Sequence, residues 1–276
     1  MSLRYPSRTV RKIQAQIPKI FMRAIDIHTH PVFFGKGHSR REANEFAAYG
    51  LAHGVERMVA LGDVLVFGRR PNAKQLVIIN DQTADLMRWR PDYYIGFCCL
   101  NPTLGERAVR REVERCVGGL GFRGLKLEVT NNARDACMKP LMRAAEEWGV
   151  PVLQHTWSMT NIHQRSYHSD PEDTALLARR FPNVQVIMAH LTGCGYRGVL
   201  EAKGVDNLVV DTSGAFPEAG ILDYALEHLG ADHVVYGSDL PIRESSVTIG
   251  RTVDTAKNAA DCEKMLYGNA RRLLKL

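Results

Sequence analysis

The chain has 276 residues, 45% of them apolar and 24% charged, with a formal charge of +6. These proportions fit a globular protein with a full-sized core and exclude a disordered or fibrous chain. No apolar run approaches the roughly 20 residues that a membrane span needs. The whole charge excess lies in residues 1–23, where Arg4, Arg8, Arg11, Lys12, Lys19 and Arg23 stand without an acid.

That segment reads as a solvated basic extension, and residues 24–276 as one charge-balanced domain. A nucleic-acid binder would carry its basic residues as a patch on the folded body, with interleaved aromatics or a known motif, and neither is present. The extension lacks the serine richness of a transit peptide and the apolar core of a secretory signal, so a cytoplasmic location is expected. Cysteines at 98, 99, 116, 137, 194 and 262 show no C-x-x-C spacing. They read as reduced thiols.

Strand and helix patterns alternate along the body. An apolar strand near 24–28 ends in His28-Thr29-His30-Pro31, and a helix over about 41–53 follows. Further strands fall near 55–60, 93–99, 122–127, 151–155, 184–189, 207–211 and 233–237. Helices are predicted between them over about 72–89, 104–117, 135–148, 171–181, 194–203, 218–229 and 246–257, with a last one near 259–274. Asn101-Pro102 and Asp170-Pro171 place a capping residue before proline at a first helical turn.

Eight such units within about 250 residues predict a (β/α)8 TIM barrel, whose active sites lie at the C-terminal ends of the strands. A doubly wound sheet is the competing fold, but it needs a glycine-rich phosphate loop after its first strand. Here that place is held by His28-Thr29-His30-Pro31.

Four predicted strands end in metal-ligand chemistry. His28 and His30 are two residues apart and share one strand face. His155 ends the fifth strand, His190 the sixth, and Asp239 follows the eighth. In a closed barrel the first and eighth strands are neighbours, so Asp239 can approach His28 and His30, with His155 reaching across. One histidine at a strand end is more often a structural hydrogen-bonder than a ligand. Several in register favour a metal centre of His28, His30, His155 and Asp239, with a position left open for water. An ion there lowers the pKa of its water towards neutrality.

These residues resemble the amidohydrolase superfamily, and within it the amidohydrolase-2 group. The resemblance spans roughly 24–274 and rests on Asp26-Ile27-His28-Thr29-His30-Pro31, Gly121-Phe122-Arg123-Gly124-Leu125-Lys126-Leu127, His155, His190, Gly237-Ser238-Asp239-Leu240-Pro241 and Tyr267-Gly268-Asn269-Ala270-Arg271-Arg272-Leu273. It implies that His28, His30 and His155 are ligands, that Asp239 contacts the metal and serves as general base, and that His190 polarises the attacked group. It also implies one divalent ion, with zinc expected and manganese or another divalent ion as the alternative, and no organic cofactor. Lys126 stands where two-metal members of the superfamily carry a carboxylated, bridging lysine; the amidohydrolase-2 group usually holds one ion and an unmodified lysine. One ion is the favoured reading, and the buried amine leaves carbamylation open.

Predicted strand–helix loops supply candidate substrate contacts. Trp157, His163, Arg165, Tyr167 and His168 follow His155 in a loop of about fifteen residues. Arg197 and Arg243 follow His190 and Asp239, and an arginine there would suit a carboxylate-bearing substrate. Ordinary surface charge is the competing reading for each. Asp211, ending the seventh strand, is read either as a partner of the metal histidines or as a helix cap, with the cap or loop role slightly preferred. His38, His53, His228 and His233 are read as structural.

The resemblance admits two reaction classes on a small-molecule substrate. The first is hydrolysis of a lactone, ester or amide. The second is metal-dependent decarboxylation of an aromatic or unsaturated acid, with Asp239 helping to protonate carbon. Hydrolysis is preferred on length alone, because decarboxylases of the group tend to be longer. A barrel that keeps its ligands for structure alone is a third reading, and the full ligand set argues against it. No nucleic-acid or membrane partner is expected; barrels of this kind often pair, so a homodimer is possible, but no residue marks a partner surface.

Overall fold

Eight parallel strands hydrogen-bond in chain order: β1 (Ala24–Thr29), β2 (Val55–Ala60), β3 (Tyr94–Leu100), β4 (Gly124–Leu127), β5 (Val152–Gln154), β6 (Val186–Met188), β7 (Leu208–Asp211) and β8 (Val234–Val235). This computed structural model describes residues 23–128, 130–158, 163, 166, 168–215 and 218–276. The extension predicted over 1–23 therefore lies outside the described residues except for Arg23. The Arg23 guanidinium sits 3.9 Å above the Tyr267 ring.

Helices α1 (Arg40–Ala52), α2 (Ala73–Trp89), α3 (Glu106–Val113), α4 (Met138–Trp148) and α5 (Pro171–Arg180) follow the first five strands. Helices α6 (Leu191–Ala202), α7 (Ile221–Leu229) and α8 (Ser245–Thr255) follow the last three, and α9 (Ala259–Glu263) and α10 (Asn269–Leu274) end the chain. This is the predicted (β/α)8 barrel. Its last seam joins β8 and the turn beyond it to β1, where Ile27 N–H donates to Tyr236 O (3.0 Å), Asp239 N–H to His28 O (2.8 Å) and His30 N–H to Leu240 O (2.7 Å).

Two shells of apolar side chains follow from strand alternation. Ile25, Ile27, Val59, Phe97, Leu153, Ile187, Val209 and Val235 pack into one cluster from seven strands, the barrel interior, which Ala270, Leu273 and Leu274 of α10 join. Alternate residues such as Leu125, Val152, Val186 and Val210 pack outward. Strand β4 gives the interior no apolar side chain. Its outward residues are Leu125 and Leu127, which leaves Gly124 and Lys126 facing in. A Cβ on Gly124 would collide with the Phe97 ring, so the glycine makes room for that ring, and Lys126 stands beyond it.

Three predicted helices differ in detail. The helix expected over 104–117 becomes a 3-10 turn at Pro102–Leu104, then α3, then a π-helical turn over Glu114–Gly119 that runs out at Gly118 and Gly119. Asn101 caps that 3-10 turn by accepting the Thr103 N–H, whereas Asp170 and Asp173 form a capping box on α5 as expected. The last predicted helix is interrupted by a π-helical turn at Lys264–Gly268. Helix α6 begins earlier than expected, at Leu191, and kinks at Gly195 (φ 60°, ψ −160°), a conformation that suits glycine.

Candidate active site

The end of β1 carries His28 and His30 into the barrel mouth, and each ring is fixed at Nδ1. Nδ1 of His28 lies 2.7 Å from Oδ2 of Asp211, at the end of β7. Nδ1 of His30 lies 3.1 Å from the carbonyl oxygen of Gly62, which can only accept. Both imidazoles therefore hold their proton on Nδ1 and turn a bare Nε2 towards Asp239, at 3.5 and 3.7 Å from its Oδ1.

Nε2 of His28 is buried and has no hydrogen-bond partner. A buried nitrogen lone pair without a donor is costly unless a cation receives it. His28, His30 and Asp239 place one ligand atom each within 4.8 Å of one another. Two neutral imidazoles and a carboxylate form a donor set suited to a divalent ion, so the residues fit the implied metal.

Electrostatics agree with the geometry. Burial, reinforced by the Lys126 charge, holds His28 well below the usual histidine range and His30 at about 4. Both are thus neutral and free to coordinate. Burial pushes Asp239 up to about 7. Asp239 also adopts a left-handed backbone (φ 65°), as does His190 (φ 69°). Non-glycine residues in that region are costly and cluster at functional sites.

His190 lies with its ring centroid 4.8 Å from those of both His28 and His155. Its backbone N–H donates to Asp211 Oδ1 (2.9 Å), and its Nδ1 faces Ser213 Oγ at 3.0 Å. Burial, then the neighbouring His28 and His155, keep it well below its usual pKa. His155 is not part of the tight group. Its Nδ1 lies 3.4 Å from His190 Nε2 and 3.1 Å from Oε1 of Glu128. The structure thus gathers His28, His30 and Asp239 directly and holds His155 beside them.

Glu128 and Asp26, to which the sequence gives no role, and Asp211, for which it prefers another, complete the site. Glu128 lies two residues beyond Lys126, and its Oε2 is 3.3 Å from Lys126 Nζ. The same i, i+2 spacing that singled out His28 and His30 could have found it. Asp211 is a correction: it is neither cap nor loop residue but the carboxylate that orients His28. Asp26 is buried, with its pKa pushed to about 7 mainly by that burial, and it accepts the N–H of His28 (3.1 Å) and of Ser238 (3.0 Å). One side chain thereby pins the ends of β1 and β8 together.

The loop candidates divide. Trp157 packs edge-on to His190 at 5.4 Å and forms a wall of the mouth. Arg197 pairs instead with Glu172 and with Asp170 (3.2 Å), linking α6 to the start of α5. Arg243 is exposed, and its charge lies close enough to Asp239 to favour the ionised carboxylate. Burial and the charge of Arg69 push His168 below its usual value. Arg165 and Tyr167 lie outside the described residues. His38 and His233 are structural as expected, bonded to Asp85 and to the Leu208 carbonyl.

Comparison with known proteins gives one consistent grouping. The family model described as amidohydrolase matches residues 25–276. A gamma-resorcylate decarboxylase of Rhizobium radiobacter is 26% identical over 278 residues, covering 82% of this chain and 84% of the relative. Among solved structures, a 2,6-dihydroxybenzoate decarboxylase from Rhizobium superposes with a TM-score of 0.72 at 18% identity, covering 92% of this chain and 99% of the other. A dihydroxybenzoic acid decarboxylase from Polaromonas sp. JS666, with bound manganese and 2-nitroresorcinol, gives 0.68 at 17% identity, covering 92% and 97%. At such identities the structural likeness speaks for the fold. Among the described residues no helix is long and apolar enough to cross a membrane. With its family match running from β1 to the last residue, the chain belongs to the amidohydrolase family, in the amidohydrolase-2 group of metal-dependent TIM-barrel enzymes.

Proposed function

We propose that this protein is a metal-dependent decarboxylase of a small aromatic carboxylic acid, the second of the two reaction classes that the sequence admits. The observation that carries this reading is the 26% identity to a gamma-resorcylate decarboxylase across 82% of the chain. Hydrolysis rested on length, and length is a poor guide here: the chain spans 99% of a dihydroxybenzoate decarboxylase structure. Trp157, in a T-shaped contact with His190 at 5.4 Å, adds an aromatic side chain beside the site.

His28, His30 and Asp239 would hold the ion, with His155 turning in to complete the set. Manganese is the first ion to test, because it is bound in the Polaromonas structure. Once bound, the ion supplies a Lewis acid that fixes the substrate's oxygen atoms and offsets their charge. The chain's own residues do the rest.

His28 and His30 stay neutral because burial disfavours their charged forms, so they neither repel a cation nor compete as acids. His190 Nε2 lies 3.4 Å from His155 Nδ1, and with Nδ1 facing Ser213 Oγ it is the nitrogen that would accept a hydrogen bond from a substrate hydroxyl. Asp239 is the proton carrier. Its carboxyl delivers a proton to the ring carbon bearing the carboxylate; the bond to that carboxylate then breaks, its electron pair returns to the ring, and carbon dioxide leaves. Solvent re-protonates Asp239.

The test is a panel of dihydroxybenzoates and lactones with the manganese-loaded protein, following carbon dioxide release and acid production. Carbon dioxide release that stops on chelation and returns with manganese supports the proposal. Lactone turnover with acid production and no carbon dioxide from any aromatic acid overturns it in favour of hydrolysis.

A further inference from the structure

The barrel interior contains a cation that its fold does not require. Lys126 is fully buried at an inward position of β4, beside Gly124, and among the described residues the polar contact of its Nζ is the 3.3 Å ion pair with Glu128. Its charge bears on His28, His30, His155 and Asp239, the residues that would hold a divalent ion. Two cations close together in a dry interior repel strongly, so something must offset one of them.

Glu128 is placed to do so. It is 8% exposed, sits on the same face of β4, and spreads its two oxygens between two partners: Oε2 is 3.3 Å from Lys126 Nζ and Oε1 is 3.1 Å from His155 Nδ1. We propose that Glu128 is a positioning residue of the metal centre, a carboxylate that cancels the Lys126 charge and holds the His155 ring at the edge of the site, so that a divalent ion can be bound beside a buried lysine. With an ion of charge +2 and Lys126 on one side, and Asp211, Asp239 and Glu128 on the other, the centre is neutral. Without Glu128 it carries an excess positive charge, and the His155 ring loses its restraint.

This inference rests on the reading that the site binds a metal, and its test separates the two. Manganese and zinc affinities are measured by chelator competition on the full chain for the wild type, Glu128→Gln, Lys126→Met and the double variant, with circular dichroism to confirm folding. Loss of an outer carboxylate from a metal site weakens binding by about 10–100-fold, and that is the loss expected for Glu128→Gln. Removing Lys126 as well should bring the affinity back to within about threefold of wild type, because the uncancelled charge is the larger of the two effects of losing Glu128 and the freed His155 ring accounts for the remainder. Glu128→Asp should retain most of the affinity.

A wild-type protein that binds neither ion defeats the metal reading itself. If the wild type binds and Glu128→Gln binds equally well, or if the double variant stays as weak as Glu128→Gln, the role assigned to Glu128 is wrong. Should Glu128→Gln alone not fold, Lys126→Met compared with the double variant carries the test: there the loss of Glu128 must cost less than about threefold.

Discussion

Asp211 at the end of β7 and His28 at the end of β1 meet through a 2.7 Å contact between Oδ2 and Nδ1. The other oxygen of Asp211 accepts the N–H groups of His190 and Ser213, at 2.9 and 3.0 Å. One carboxylate thus sets the tautomer of a candidate ligand and the backbone of a candidate catalytic histidine.

Asp211→Ala removes both restraints at once. With Nδ1 left only its longer 3.4 Å contact to Ser213 Oγ, the His28 proton is freer to move to Nε2, the nitrogen meant to coordinate. Manganese affinity should fall by about 10–100-fold, as for other partners of metal-bound histidines, and activity should fall with it. Competition titration checks this, and an unchanged affinity would show that the His28 tautomer is set elsewhere.

Gly62 restrains His30 in the same way, but through its backbone. Its φ is +76°, and a Cβ there would lie 2.7 Å from Cγ2 of Ile79. Gly62→Ala therefore meets both a left-handed strain and a clash, and the easiest relief rotates the carbonyl that receives His30 Nδ1. The variant should lose about 1–3 kcal/mol of stability, measured by urea unfolding, together with part of its metal affinity. Loss of stability with metal binding fully retained would show that the carbonyl does not hold the ring.

The barrel and most of its site are legible in the sequence because both repeat. Each strand is an apolar run of period 2, and its end marks a position on one rim, so His28, His30, His155, His190 and Asp239 can be assigned to a common face without knowing a single distance. Partnerships between strands are a different matter. Nothing local in Leu208–Asp211 says that Asp211 will point at His28 rather than cap a helix, because 183 residues separate them and only the closed barrel brings them together. Glu128 is hidden for another reason: a carboxylate just past a strand end is ordinarily solvated, and only the fold buries it between Lys126 and His155.

Gly193 should govern which rings fit the mouth. A Cβ on it would stand 2.5 Å from the six-membered ring of Trp157, whose edge lies against His190. Gly193→Ala must displace the tryptophan from its place beside His190. For the reactive aromatic acid the expected change is a rise in KM of about tenfold, equivalent to roughly 1.4 kcal/mol of binding, with a smaller change in kcat. Equal falls in kcat and kcat/KM with KM unchanged would instead mean that Trp157 acts through His190 on the chemical step.

Glu112 gives a prediction about pH that is independent of the metal site. It accepts hydrogen bonds from Asn80 (2.8 Å) and from Arg115 (2.7 and 3.0 Å), joining α2 to α3 and the turn beyond it. Burial raises its pKa, but Arg115 and Asn80 outweigh burial and leave the net shift below the ordinary carboxylate value. A group whose folded pKa is depressed adds stability above its unfolded pKa, and that stability fades as pH falls through the folded value. Glu112→Gln should therefore be about 1–3 kcal/mol less stable than wild type at pH 7, as expected for a buried hydrogen bond to a charged group. The gap should close as the pH is lowered below the ordinary carboxylate value of 4.5. Urea unfolding of both proteins across that range measures it. A gap that persists undiminished in acid would show that Glu112 acts through shape and neutral hydrogen bonding, and that its charge adds nothing to the fold.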